Sequence, residues 1–128
     1  MHHHLNIRPE LWPEITDQPH FVIDLEYAGC TLHFDDIYFD NIEETCARLR
    51  QLARERQGSA LLDGGFRFSL AIEIMPRGDI KLAFHAESEP PFPGKLSLDG
   101  FFQRDGEYAS SLLQDILDLL KYGKELSL

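Results

Sequence analysis

At 128 residues, 43% hydrophobic and 27% charged, the chain has the size of one domain with its own core and a globular composition rather than a disordered one. It contains no run near the roughly 20 apolar residues of a membrane-spanning helix, and its opening residues lack the apolar stretch of a secretory signal, so a cytoplasmic protein without membrane association is expected. The formal charge of −10, from 22 acidic and 12 basic side chains, repels phosphate and argues against nucleic-acid binding.

That charge is unevenly placed. Residues 1–44 hold the carboxylates Glu10, Glu14, Asp17, Asp24, Glu26, Asp35, Asp36, Asp40, Glu43 and Glu44 against a single cation, Arg8, while the rest of the chain is nearly neutral. An acid excess confined to one end of a well-patterned chain predicts a surface that steers a cationic partner into contact.

In chain order, residues 1–18 read as an N-terminal arm. Pro9, Pro13 and Pro19 interrupt regular structure, and Leu11, Trp12 and Ile15 are candidate anchors. The histidines His2, His3 and His4 are set aside from functional argument. An α+β core is expected over 19–123. Phe21, Ile23, Leu25 and Tyr27 alternate with Val22, Asp24 and Glu26; Ala28-Gly29 turns the chain; Cys30, Leu32 and Phe34 alternate with Thr31, His33 and Asp35. This predicts a β-hairpin with one buried face.

Asp40 is the expected N-cap of a helix that carries Ile42, Cys46, Leu49, Leu52 and Ala53 at helical spacing and ends at Gly58. Glu43 completes a capping box, and Glu44 and Arg48 are placed to pair on its exposed side. Ala60-Leu61-Leu62 predicts a short edge strand. Phe66, Phe68, Leu70, Ile72 and Ile74, then Ile80, Leu82 and Phe84, then Leu96, Leu98 and Phe102, predict three more strands. They are separated by a Pro76–Asp79 turn and a stiff Glu89–Gly94 loop. Asp105 caps a second helix with an apolar stripe of Tyr108, Leu112, Leu113, Ile116, Leu119 and Leu120, closed by Gly123. Residues 124–128 are left as a short tail. The expected architecture is a single two-layer α+β domain: an antiparallel meander sheet of about five to six strands with two helices packed on one face.

Candidate functional residues lie on the exposed strand face. Asp24, Glu26, His33, Asp35 and Asp36 form the acidic part, and Phe101, facing away from Phe102, is expected to make with Met75 a small apolar spot ringed by charge. Cys30 and Cys46 are expected to be free thiols without a catalytic base.

The run Leu96-Ser97-Leu98-Asp99-Gly100-Phe101-Phe102-Gln103-Arg104-Asp105-Gly106-Glu107-Tyr108, followed by a leucine-rich helix, resembles small bacterial toxin-immunity proteins of the WapI-like immunity family. The order hairpin, helix, strand meander, helix over about residues 20–122 is similar to theirs. The chain departs from the pattern at Tyr108-Ala109, where leucine is usual, and Gly106-Glu107 reads as an insertion. The resemblance implies a non-enzymatic, cofactor-free binding protein that neutralises a cognate toxin, here a basic one. Two other readings stand beside it. A metal-dependent or acid–base enzyme would use the H-x-[DE] pairs His33/Asp35 and His85/Glu87. An adaptor domain would dock through a bare sheet edge or Pro90-Pro91-Phe92-Pro93. Either a monomer or a homodimer paired through such an edge fits.

Overall fold

The computed structural model describes residues 3–11, 18–88 and 96–128. Trp12, Pro13, Ile15, the Pro90–Pro93 loop and the side chain of Leu11 lie outside the described residues.

Eight strands and two helices occur among the described residues, in the order β1 (His4–Leu11), β2 (His20–Tyr27), β3 (Cys30–Ile37), α1 (Ile42–Glu55), β4 (Gly58–Asp63), β5 (Phe68–Ile74), β6 (Ile80–Glu87), β7 (Ser97–Arg104), α2 (Gly106–Tyr122) and β8 (Leu126–Ser127). The fold is α+β and antiparallel as expected, but the single meander is corrected to two four-stranded sheets, ordered β3-β2-β1-β8 and β4-β5-β6-β7. Alternation assigns each strand an inner and an outer side and is silent about neighbours. The break falls where α1 carries the chain from β3 to β4.

Both ends of the chain depart from expectation. The arm supplies β1, which pairs antiparallel with β2 from His4↔Glu26 to Leu11↔His20, with a register shift between Pro9 and Leu11. Proline is tolerated where the ladder is already irregular. The tail supplies β8, which pairs with β1 as Asn6↔Ser127 and Ile7↔Leu126, and Leu126 is buried.

One apolar cluster joins the sheets and helices, including Leu5, Ile7, Phe21, Ile23, Leu49, Leu52, Leu70 and Ile116. Aromatic rings bridge the sheets: Tyr27 meets Phe84 edge-on at 4.9 Å and Phe102 at 5.8 Å, and Phe34 lies 6.4 Å from Phe68. Gly100 makes room for Tyr27, whose hydroxyl accepts the Phe101 N–H at 3.3 Å.

Helix α1 covers an edge. Its flank and the residue before its cap take up three backbone carbonyls of β4: Arg48 Nε donates to Ser59 O at 2.8 Å, Thr45 Oγ1 to Leu61 O at 3.3 Å and the Asp40 N–H to Asp63 O at 2.9 Å. That shields β4 from pairing with another strand. Asp40 is therefore a tether to β4; the cap is Asn41, at φ 55°, without a side-chain capping bond. At the other end Arg56, at φ 59°, closes the helix by donating its N–H to Leu52 O, whereas Gly58 opens β4. Arg48 does not pair with Glu44 but reaches Ser59 and Gln51.

Helix α2 touches β1, β8 and β6 and so lies against both sheets. Its buried stripe begins at Ala109 rather than Tyr108, which is exposed at the margin of that stripe, and Gly123 ends it in the left-handed conformation at φ 69°. Phe66 likewise is exposed and precedes β5.

Candidate functional site

The first sheet's outer face is built by the β2–β3 hairpin. Ala28 and Gly29, at φ 53° and 81°, make the tight turn that sets the register. Asp24 then stands opposite His33 and Glu26 opposite Thr31, while β1 brings Asn6 beside Asp24. The pairing shifts between Phe21↔Ile37 and Ile23↔Phe34, so three steps on β3 span two on β2. This bulge, with Asp36 at φ 57°, exposes Asp35 and Asp36 in succession and returns Ile37 to the core. Arg67 clamps it, donating to Asp35 O at 3.0 Å and Asp36 O at 2.7 Å, and the Asp36 N–H donates to Glu10 Oε2 at 2.9 Å. His20 hydrogen-bonds the Asp36 carboxylate.

Asp24 sits at the centre of a polar chain. Arg8 donates to its Oδ2 at 2.6 Å, and His33 Nδ1 meets its Oδ1 at 2.5 Å while His33 Nε2 meets Asp35 at 2.9 Å. Partial burial works to raise the Asp24 carboxyl; the bonds from His33 and Arg8 outweigh it and hold its pKa below the usual 3.8. The bond to Asp24 raises His33 above its usual 6.5, burial opposes this, and Asp35 adds to the rise. Asp24 thus braces the face, while Glu26, Asp35, Asp36 and Glu10 are exposed on it.

A matching constellation sits on the second sheet. His85 Nδ1 meets the cross-strand Asp99 at 2.7 Å, and Nε2 meets Glu87 at 3.1 Å. Asp99 first, then Glu87, raises the His85 pKa against a small burial effect. The two H-x-[DE] pairs lie on different sheets, and among the described residues no three His, Cys, Asp or Glu side chains are grouped to hold a metal ion. Each histidine's neighbour two residues on is legible in the sequence, whereas Asp24 and Asp99, the partners across the strands, depend on register and are not. Arg8 and Glu10, expected in the arm, reach this face through β1.

Of the six candidate contact residues, Asp24, Glu26, His33, Asp35 and Asp36 come together on the first sheet. Phe101 is on the second, half-exposed, with Lys81 Nζ 4.7 Å from its ring centre. Cys30 and Cys46 are both free, and burial pushes the Cys46 thiol up despite Arg50 and Lys121 nearby. Among the described residues no helix is long and apolar enough to cross a membrane. Comparisons with protein-family models, with curated proteins and with solved structures find no match.

Proposed function

We propose that the chain is an immunity-type binding protein that neutralises a cationic toxin domain by holding it against the acidic face of the first sheet. One observation carries the reading: strands β1–β3 display Glu10, Glu26, Asp35 and Asp36 exposed on one face, with Asp24 among them already paired to Arg8. A fixed array of carboxylates on a rigid sheet speeds encounter with a basic surface and rejects acidic ones. The protein acts in the cytoplasm, without cofactor and without chemistry of its own. Steering by Glu26, Asp35 and Asp36 supplies the association rate, and Asp24 keeps its neighbours in place.

The test is affinity capture from the source cells at low and high salt, with wild-type protein and with a Glu26→Lys/Asp35→Lys variant, read by mass spectrometry. A basic partner with toxin activity, retained at low salt by the wild type and lost by the variant, is the expected result. A partner held equally by both removes the acidic face from the contact.

A further inference from the structure

The outer face of the second sheet has a pattern independent of the acidic face. The register places Leu61 opposite Ala71, Ala71 opposite Ala83 and Ala83 opposite Phe101, so one apolar row crosses all four strands. Leu61 is 50% exposed and Phe101 47%. The two alanines form a low floor between two bulky walls. Beyond Leu61 the floor opens into a groove of about 870 Å³, whose other side is α1 with Glu44, Arg48 and Gln51.

The rows flanking this floor differ in charge. On one side Asp63, Ser69, His85 and Asp99 align across the sheet, with Glu87 next along β6. On the other side are Ser59, Glu73, Lys81 and Gln103, which carry no net charge. The spacing between the walls is three strand separations, about 14 Å. An α-helix with its side chains is about 10–12 Å across.

We propose that this face seats an amphipathic helix of a partner protein, its apolar side on Leu61, Ala71, Ala83 and Phe101 and its basic residues over Asp63 and Asp99. A convex cylinder laid along β5 and β6 sets its apolar side on the two alanines, with Ser69 and His85 under one end and Glu73 and Lys81 under the other. A second copy of the chain fits worse. A two-fold axis along the apolar row sets Leu61 on Leu61 and Phe101 on Phe101 and leaves the alanines facing a gap; an axis along the strands sets Asp63 against Asp99. The proposal does not depend on the role given to the first sheet, and the two fail separately.

The test uses the full chain, ¹⁵N-labelled, titrated with a synthetic helix of about 18 residues, roughly 27 Å long, with leucine along one side and lysine on the rest. A counterpart with glutamate for lysine serves as the comparison. Saturable shifts at the Ala71, Ala83 and Phe101 amides with the lysine peptide, at least tenfold weaker with the glutamate peptide and with Ala83→Lys, are expected. Glu26→Gln/Asp35→Asn on the first sheet should change the affinity less than threefold. The same spectra report whether Ala83→Lys is folded, and Phe101→Ser, at an exposed side chain, gives a second route to the tenfold loss. Shifts confined to Asp24, Glu26, His33 and Asp35 overturn the proposal, as does the absence of saturable shifts at about 1 mM peptide, the weak end of specific association.

Discussion

Replacing Gly100 with alanine should loosen the junction between the sheets. A methyl group there lies 2.4 Å from Tyr27 Cε1, 2.6 Å from Tyr27 Cζ and 2.7 Å from Phe84 Cζ. Neither ring moves freely, because Phe84 is 3% exposed and Tyr27 is held by ring contacts with His3, Phe84 and Phe102 and by the Phe101 N–H. Overpacking a filled core costs about 1–3 kcal/mol, and replacing a strand glycine offsets about 0.5–1 kcal/mol of it, leaving roughly 0.5–2 kcal/mol. Unfolding entropy near 2.1 cal/mol/K per residue, over 128 residues, is about 270 cal/mol/K, so Tm should fall by about 2–7 °C. Thermal melts followed by circular dichroism measure this. The cause is isolated by a double-mutant cycle with Tyr27→Ala, which alone costs about 3–4 kcal/mol, removes the two nearer contacts and leaves Phe84 room to shift into the vacated space. In that background Gly100→Ala should cost less than about 0.5 kcal/mol. An equal cost in both backgrounds would refute the reasoning, since the penalty would then owe nothing to the tyrosine ring.

Four other outcomes follow from the geometry. In an NMR titration His33 should titrate above 6.5, and Asp24→Asn should lower its midpoint more than Asp35→Asn, because Asp24 is the larger cause; the reverse order would reject the assignment. A histidine raised on folding binds its proton more tightly in the native state, so the stability from His33 and His85 is complete below the unfolded value of 6.5 and is lost as pH rises through each folded value. The Tm advantage of wild type over His33→Gln/His85→Gln should therefore shrink from pH 5.5 to pH 8.5, and a constant difference would contradict the pairing. Leu126→Ala should cost about 2–4 kcal/mol in urea denaturation, because Leu126 is 2% exposed against β1. With a thiol reagent at neutral pH, Cys46 should stay unmodified in folded protein while Cys30 reacts, and rapid labelling of both would show that α1 opens locally.

Strand positions with clean alternation were legible in the sequence, and so were faces. Phe21 to Tyr27 and Phe68 to Ile74 point where their periodicity says, and Gly123 ends its helix as its residue type demands. Neighbours were not legible. Nothing in the spacing of Leu5 and Ile7, interrupted at Pro9, announces a strand, and a two-residue strand at Leu126–Ser127 falls below any periodic signal. The first takes its form from pairing along the next strand, β2, and the second from β1 at the other end of the sequence. The same limit applies to the site. His33 with Asp35 and His85 with Glu87 are local facts, whereas His33 with Asp24 and the Leu61–Phe101 row exist only once register is set. Asn41 displaced Asp40 as cap because the Asp40 N–H is drawn to Asp63, a tertiary demand stronger than local preference.

The pairing of Ile7 with Leu126 bears on how the chain reaches its native state. Closing a loop on the order of 120 residues in an open chain costs roughly 4 kcal/mol of entropy, more than so short a strand recovers by itself. The β8 pairing therefore forms late, after the hairpins and helices have drawn the two ends together. Until then β1 presents an unpaired edge to solvent, the kind of surface that templates association between folding chains. In dilute solution Leu126 and Ser127 cover that edge at Asn6 and Ile7; in a crowded refolding mixture, another molecule's β1 competes with them.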